Sequence, residues 1–489
     1  MQKPLRHRLT PELTVRNLNL SLDRNLAQPM YLQICQRFRM AIEQGHLRAG
    51  DRVPAIRALA IEQNLARGTV ELAYRILTDE GYFQVRGAAG TVVSPSLQPL
   101  APQKLQATTV QPTLAPIIGL DGNAPKPLQI GLPALDAFPR KVWNRLVGHR
   151  LRATDAASLT QPSPIGYELL RIRIAAYLAV SRGITCSSKQ VFITSGLRDS
   201  LALTLGSLAN PLDEFWLEDP GYIFSRLFLQ NAAVKIIPVP VDEHGLVVDA
   251  GRRLSPKAKF ALVTPSHQSP LGVTLSLNRR MALLEWADHA GSWIIEDDYD
   301  SEFRYQGKPL PALKSLDRNQ RVIYCGTFSK AMFPGLRLAY VVAPISAVAQ
   351  FQAVAYEVND GCPYLFQAGV ADFMAEGHFS RHMKKMRTLY AQRRILTQQA
   401  FQEVLGNRVK IELQPGGLHL LLQLAAHEDD VLLADLARDC GMAMLPLSEW
   451  YINATPRKGL LLGFANVIDK NAALSLAQKF KDALTWKEQ

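Results

Sequence analysis

The stretch Gly326-Thr327-Phe328-Ser329-Lys330-Ala331-Met332-Phe333-Pro334-Gly335-Leu336-Arg337 decides how the larger part of this 489-residue chain is read. It follows an apolar run at 322–324, which has the length and character of a buried strand. A lysine at a strand end, in a loop of Ser and Gly, can condense with an aldehyde cofactor. Seven residues on, Arg337 can join Ser329 in holding a phosphate. A Ser-Lys dipeptide alone is usually ordinary surface, so the reading depends on what else the chain carries.

Four more segments belong with it. Thr194-Ser195-Gly196-Leu197-Arg198 stands where a strand turns into a helix, and backbone N–H groups at a helix start cradle phosphate. Glu218-Asp219-Pro220-Gly221-Tyr222 places an aromatic after another strand, suited to stacking on a ring. Thr264-Pro265-Ser266-His267-Gln268-Ser269-Pro270-Leu271-Gly272 closes a third strand. Glu296-Asp297-Asp298-Tyr299 ends a fourth, where an Asp can keep a pyridine nitrogen protonated and a Tyr can bond a phenolic oxygen. All five lie at strand carboxyl ends, the ligand edge of an open α/β sheet. Apolar runs at 191–194, 215–218, 235–239, 260–263, 293–295, 322–324 and 339–342 alternate with helical stretches, which predicts a mostly parallel sheet. Beyond about residue 370, a long charged helix near 383–401 and strands near 409–413 and 418–422 predict a smaller α+β part.

The N-terminal region differs. Met30, Ile34, Phe38 and Ile42 share one helical face, and Gly45 ends that helix. A short helix over 55–63 and a third, in which Val70, Ala73, Tyr74 and Leu77 face a core, come next. Residues 82–85 and 90–93 alternate around Arg86-Gly87-Ala88-Ala89 as a hairpin. Three helices and a hairpin make a winged helix-turn-helix. Arg67 and Thr69 start the third helix, where major-groove contacts are made. Arg57 on the second helix can reach a phosphate or a guanine edge, and Arg86 and Gly87 form the wing tip. The first hundred residues hold thirteen Lys and Arg against eight Asp and Glu, and the whole chain carries +12, which fits surface charge as well as a polyanionic partner until the pattern of this segment decides for the partner.

Between the two regions, 95–127 carries seven prolines and few charges and reads as a linker that leaves the domains free to move. The domain plan is therefore 1–94, linker 95–127, and 128–489, the last divided into a large part (128–370) and a small part (371–489). No apolar run is long enough to span a bilayer. The N-terminus has no secretory h-region, and the five scattered cysteines include no C-x-x-C pair. These features predict a cytoplasmic protein without membrane association, disulfide framework or metal site.

The ordered pattern Gly45-x-Leu47-x-x-Gly50-x-x-Val53-Pro54-x-x-Arg57-x-Leu59-Ala60, then Arg67-x-Thr69-Val70, Gly81-Tyr82 and Gly90-Thr91-x-Val93, resembles the GntR-type winged helix of bacterial repressors. Ala55 and Ile56 stand where Ser residues are usual, and Asn64-Leu65-Ala66 replaces Gly-Val-Ser, removing a capping oxygen and a phosphate contact. The five strand-end motifs resemble fold-type I, aspartate-aminotransferase-like enzymes dependent on pyridoxal 5′-phosphate (PLP). That resemblance implies Lys330 as the internal aldimine, Asp297 (with Asp298 as alternative) on the pyridine nitrogen, Tyr299 on the phenolic oxygen and Tyr222 stacking. It also implies Arg337, Ser329 and the backbone of Gly196, Leu197 and Arg198 at the phosphate.

The departures from that pattern are Ser269 for a usual Asn, Arg198-Asp199 for a usual Gln, and Leu461 where an Arg clamps the substrate carboxylate. Arg457 is the nearby candidate to replace that clamp. Both domains on one chain resemble the MocR subfamily of regulators. This implies a homodimer with swapped heads on double-stranded DNA and an effector, PLP itself or a small amine, sensed at Lys330. A working aminotransferase carrying a DNA-binding arm is the alternative.

Overall fold

The computed structural model describes residues 22–96, 124–307 and 310–487. The chain divides into two compact units, 1–111 and 112–489. Most of the expected linker lies outside the described residues. Its last residues are described, and Pro127 already accepts a hydrogen bond from the N–H of Ala443 (2.9 Å), so it belongs to the second unit.

The first unit holds α1 (Met30–Glu43), α2 (Ile56–Glu62), α3 (Arg67–Asp79) and an antiparallel hairpin of β1 (Phe83–Val85) and β2 (Thr91–Val93). The expected apolar faces form its core, centred on Phe38, Tyr74 and Phe83, whose rings meet edge to face at 5.2–5.7 Å. The Tyr74 hydroxyl donates to the carbonyl of Pro54 (2.8 Å), pinning the α1–α2 connector on α3. Arg39 and Glu80 pair at 2.6 Å and tie α1 to the end of α3. A bridge from Arg52 to Val92 adds a third edge to the wing.

The second unit is built on an eight-stranded sheet. In chain order its strands are β3 (Val191–Thr194), β4 (Glu214–Asp219), β5 (Lys235–Asp242), β6 (Gly245–Leu246), β7 (Phe260–Val263), β8 (Trp293–Asp298), β9 (Val322–Thr327) and β10 (Ala339–Val342). Their spatial order is β3-β10-β9-β8-β7-β4-β5-β6. The expected parallel arrangement holds for β5, β4, β7, β8 and β9, whereas β10 runs antiparallel between β3 and β9, and the short β6 antiparallel to β5. Both faces are covered. Phe192, Phe215, Phe260, Ile295, Ile323 and Val341 enter one core, while their strand neighbours enter others on the opposite face. Burial on both faces explains the unbroken apolar runs.

Of the flanking helices, α4 (Arg140–Arg152) and α5 (Glu168–Ser181) precede the sheet, and α6 (Leu197–Leu208) and α7 (Ile223–Asn231) follow β3 and β4. The helix His378–Leu405 then leads into an antiparallel four-stranded sheet, ordered β11 (Lys410–Ile411), β12 (His419–Gln423), β14 (Gly459–Gly463), β13 (Leu445–Pro446). This is the expected α+β part, with β13 and β14 as additions. Among the described residues, no helix is long and apolar enough to cross a membrane, and no group of His, Cys, Asp and Glu could hold a metal ion.

Candidate cofactor site and nucleic-acid interface

At the carboxyl edge of the large sheet lies a cavity of about 360 Å³. Tyr222, Asp297, Tyr299, Ser329, Lys330, Arg337, Gly196, Leu197 and Arg198 all line it. Arg457 is not among its lining residues: it is exposed on the loop before β14, so the structure does not bring this candidate clamp to the cavity.

Strand geometry selects between the two adjacent aspartates. On β8, alternate residues point to opposite faces. Asp298 turns away from the cavity, pairs with Arg182 at 2.7 Å and accepts from Tyr324 (2.6 Å). Glu296, on the same face as Asp298, accepts from the N–H groups of Leu313 and Lys314 (2.8 Å each). Asp297 alone faces the cavity. Burial, reinforced by Asp298, Glu218 and Asp300, pushes its carboxyl up to about 8. A buried acid in that state is a receptor for a cation or an N–H donor.

Lys330 follows β9 and donates to the carbonyl of Gly131 (2.7 Å). Gly131 has φ +79°, which favours glycine, and a Cβ there would stand 2.8 Å from Lys330 Nζ and displace it. Burial lowers the Lys330 pKa, against the pull of Asp300 and Asp297. A lowered ammonium pKa favours the neutral, nucleophilic amine.

The start of α6 is fixed by Asp199, which accepts from the N–H of Ser195 (2.8 Å), and by a Thr194–Ser200 hydroxyl pair (2.8 Å). Arg337 brings its guanidinium to within 3.2 Å of where a Cβ on Gly196 would sit. A glycine loop, a helix N-terminus and an arginine converging in this way form an anion cradle. Tyr222 sits between Phe224 and Trp450, with ring centroids 5.5 and 6.1 Å away. Trp450 is held there from the sheet side. Asp219 accepts from three successive N–H groups, Ile452 to Ala454 (2.7–2.8 Å), and Arg226 donates to the carbonyls of Glu449 and Tyr451.

On the first unit, Arg57, Arg67, Arg86 and Gly87 are exposed and Thr69 is half-buried at the start of α3. Arg67 lies 3.8 Å from Glu71, one turn along the same helix. Neither α2 nor α3 has a side-chain cap, because Ala55 and Ala66 occupy the N-cap positions.

Known proteins match both units. The family described as "Bacterial regulatory proteins, gntR family" matches residues 30–93, and "Aminotransferase class I and II" matches 134–461. The probable rhizopine catabolism regulatory protein MocR of Rhizobium meliloti is 34% identical over 464 residues, covering 92% of this chain and 93% of its own length. The chain belongs to the MocR-like group of GntR-type transcriptional regulators. Among solved structures, an archaeal alanine:glyoxylate aminotransferase superposes with a TM-score of 0.69 at 26% identity, over 77% of this chain and 94% of its own. The α-aminoadipate aminotransferase LysN of Thermus thermophilus, complexed with N-(5′-phosphopyridoxyl)-L-leucine, gives 0.68 at 25%, over 77% and 96%.

In this MocR-like chain the cavity and the groups packed against it include residues to which motif reading gave no role. Gln129 to Leu132 form a wall about 200 residues before Lys330 in sequence. His267 Nδ1 stands 3.0 Å from the Tyr299 hydroxyl and 3.2 Å from Asp300 Oδ2. His419 Nε2 donates to the carbonyl of Pro270 (2.9 Å), and burial, with His267 beside it, pushes its pKa down to about 4. The signal for the His267–Asp300 pair was present in the segments Pro265–Gly272 and Tyr299-Asp300, but only the fold shows that they meet.

Proposed function

We propose that this regulator binds operator DNA through residues 1–94 and PLP in the cavity of residues 128–489, and that occupancy of the cavity controls its action on DNA. The observation that carries the reading is the convergence of Lys330, the buried Asp297 carboxyl and the Gly196–Arg337 anion cradle on one cavity. Lys330 would attach the cofactor, Asp297 would hold the pyridine nitrogen, and Tyr299 the phenolic oxygen. Tyr222 would stack on the ring. Arg337, Ser329 and the backbone of 196–198 would take the phosphate. The cofactor supplies an electrophilic carbon to which a primary amine adds. His267 Nδ1 orients the Tyr299 hydroxyl, and the Gly131 carbonyl directs Nζ of Lys330.

On DNA, Arg67 and Thr69 would meet base edges, Arg57 a phosphate or guanine, and Arg86 with Gly87 the backbone at the wing. The working form is a homodimer with swapped heads in the cytoplasm, and its symmetry sets paired half-sites. An amine effector that prefers one arrangement of the dimer shifts the spacing of the heads.

The test is the visible absorption of the purified protein with PLP, followed by fluorescence anisotropy on operator DNA. A visible band that Lys330→Ala removes, with loss of the effector response on DNA, is expected. An unchanged response in Lys330→Ala overturns the switch, and sustained turnover with an amino donor and keto acid would make the chain an enzyme instead.

A further inference from the structure

With PLP bound as proposed, the lining of the cavity selects which amine it takes. Charges in the lining are segregated. Its cations, among the described residues, are Lys330, Arg198 and Arg337. Arg337 stands at Gly196, in the anion cradle. Arg198 is exposed, and its guanidinium lies 4.8 Å from the centre of the Phe224 ring. Lys330 is the reacting group. Every arginine therefore comes from the two loops assigned to the phosphate.

The remaining wall is of another kind. Ile130, Leu132, Leu418, Leu445 and Trp450 contribute to it. Behind them Leu461, 1% exposed, packs in one cluster with Leu271, Leu421, Leu445, Leu447 and Trp450. Leu461 sits mid-sheet, opposite Leu421 on β12 and Leu445 on β13, so all three strands present an aliphatic side chain here. The other charged lining residues are acids: Asp297, Asp300 and Glu449.

A carboxylate pressed against this wall would lose its water and meet no counter-charge, a costly combination. An alkyl or aryl group would gain by burial. Asp300 and Glu449, the acids not assigned to the cofactor, favour an incoming ammonium group. We propose that the ligand sensed here is a primary amine with an apolar, uncharged remainder, and that the cavity discriminates against the α-amino acid carrying the same side chain.

The experiment uses the full-length, PLP-loaded protein and reads the half-saturation concentration for perturbation of the visible band. The probes are matched pairs: 3-methylbutylamine against leucine, and 2-phenylethylamine against phenylalanine. Each amine is expected to saturate at a concentration at least tenfold below its amino acid. Leu461→Arg is expected to shrink that ratio at least tenfold. If the variant does not fold by circular dichroism, the wild-type ratio decides alone. Amino acids that saturate at equal or lower concentration than their amines overturn the proposal. A visible band that no amine perturbs overturns it too, while leaving the PLP reading intact. Failure of PLP to produce any band overturns the PLP reading itself.

Discussion

Arg182 and Arg57 are the same residue type put to opposite uses. Arg182 is 4% exposed, pairs with Asp298 and donates to the carbonyl of Leu310 and the hydroxyl of Ser266 (2.8 Å each). Arg57 stands in solvent on a seven-residue helix. Beneath the cavity Arg182 is fixed by buried partners before any ligand arrives. On the winged helix Arg39 is paired with Glu80, but Arg57 and Arg86 stand exposed for an external partner. Losing Arg182 should damage the fold as well as function, whereas losing Arg57 or Arg86 should damage binding alone.

The largest effect expected from this contrast is on stability. Arg182→Ala leaves Asp298 buried without its counter-charge, and loss of one partner of a buried pair costs about 3–5 kcal/mol. A chemical denaturation midpoint within error of the wild type would break the comparison.

Next comes the pH dependence set by Asp297. Its folded pKa is raised, to about 8 against 3.8 unfolded. Below pH about 4 the group is protonated in both states and its contribution is intact. As pH rises toward 8 the unfolded chain ionises while the folded chain resists, so stability falls across that window, by on the order of 5 kcal/mol. Thermal melting of the cofactor-free protein between pH 5 and 8 should show this fall. Asp297→Asn should lessen it, while Glu218 and Glu302, whose carboxyls burial also pushes up to about 7, keep part of the fall. PLP should raise the melting temperature of the wild type more than that of the variant. Identical profiles for the wild type and Asp297→Asn would show that Asp297 is not the buried acid described here.

On the winged-helix side, Arg57→Ala and Arg86→Ala should each weaken DNA binding about tenfold, lower the salt slope by about 1 if the contact is a phosphate, and leave the melting temperature unchanged. Arg67→Ala should cost about 1–3 kcal/mol on the preferred operator and less on unrelated DNA if it reads a base. Anisotropy titrations at several salt concentrations distinguish the two.

The contrast also explains what could be read in the sequence. The strands of the large sheet could be, because burial on both faces leaves unbroken apolar runs such as Val191–Thr194 and Phe260–Val263. The direction of β10 could not, since such a run looks the same in either direction. Lys330 and the Asp297-Asp298 pair could be picked out as cavity candidates from residue type at strand ends, but which aspartate faces the cavity emerged only from the alternation along β8. Gln129 to Leu132 could not, because a wall of backbone and aliphatic groups has no chemical signature. Arg457 misled for a related reason. It is four residues from Leu461, but β14 begins at Gly459, which leaves Arg457 on the exposed loop. Nearness in sequence does not bring a side chain to a site.

The smallest expected effect tests the winged helix at its least supported point. Ala66 already has the extended backbone of an N-cap, φ −63° and ψ 137°, yet its side chain offers α3 no acceptor. The same holds for Ala55 before α2. A serine at either position fits without rearranging the backbone and supplies an oxygen to the free N–H groups of the first turn. Ala66→Ser should therefore stabilise the first unit by about 0.5–1 kcal/mol and leave the second unit's unfolding unchanged. Because α3 carries Arg67 and Thr69, firmer anchoring of its first turn should also tighten DNA binding, by less than the loss seen on removing Arg57. A stabilised helix with no gain in affinity would show that the first turn of α3 is ordered by DNA itself, and that the unit's binding is limited by its contacts and not by its caps.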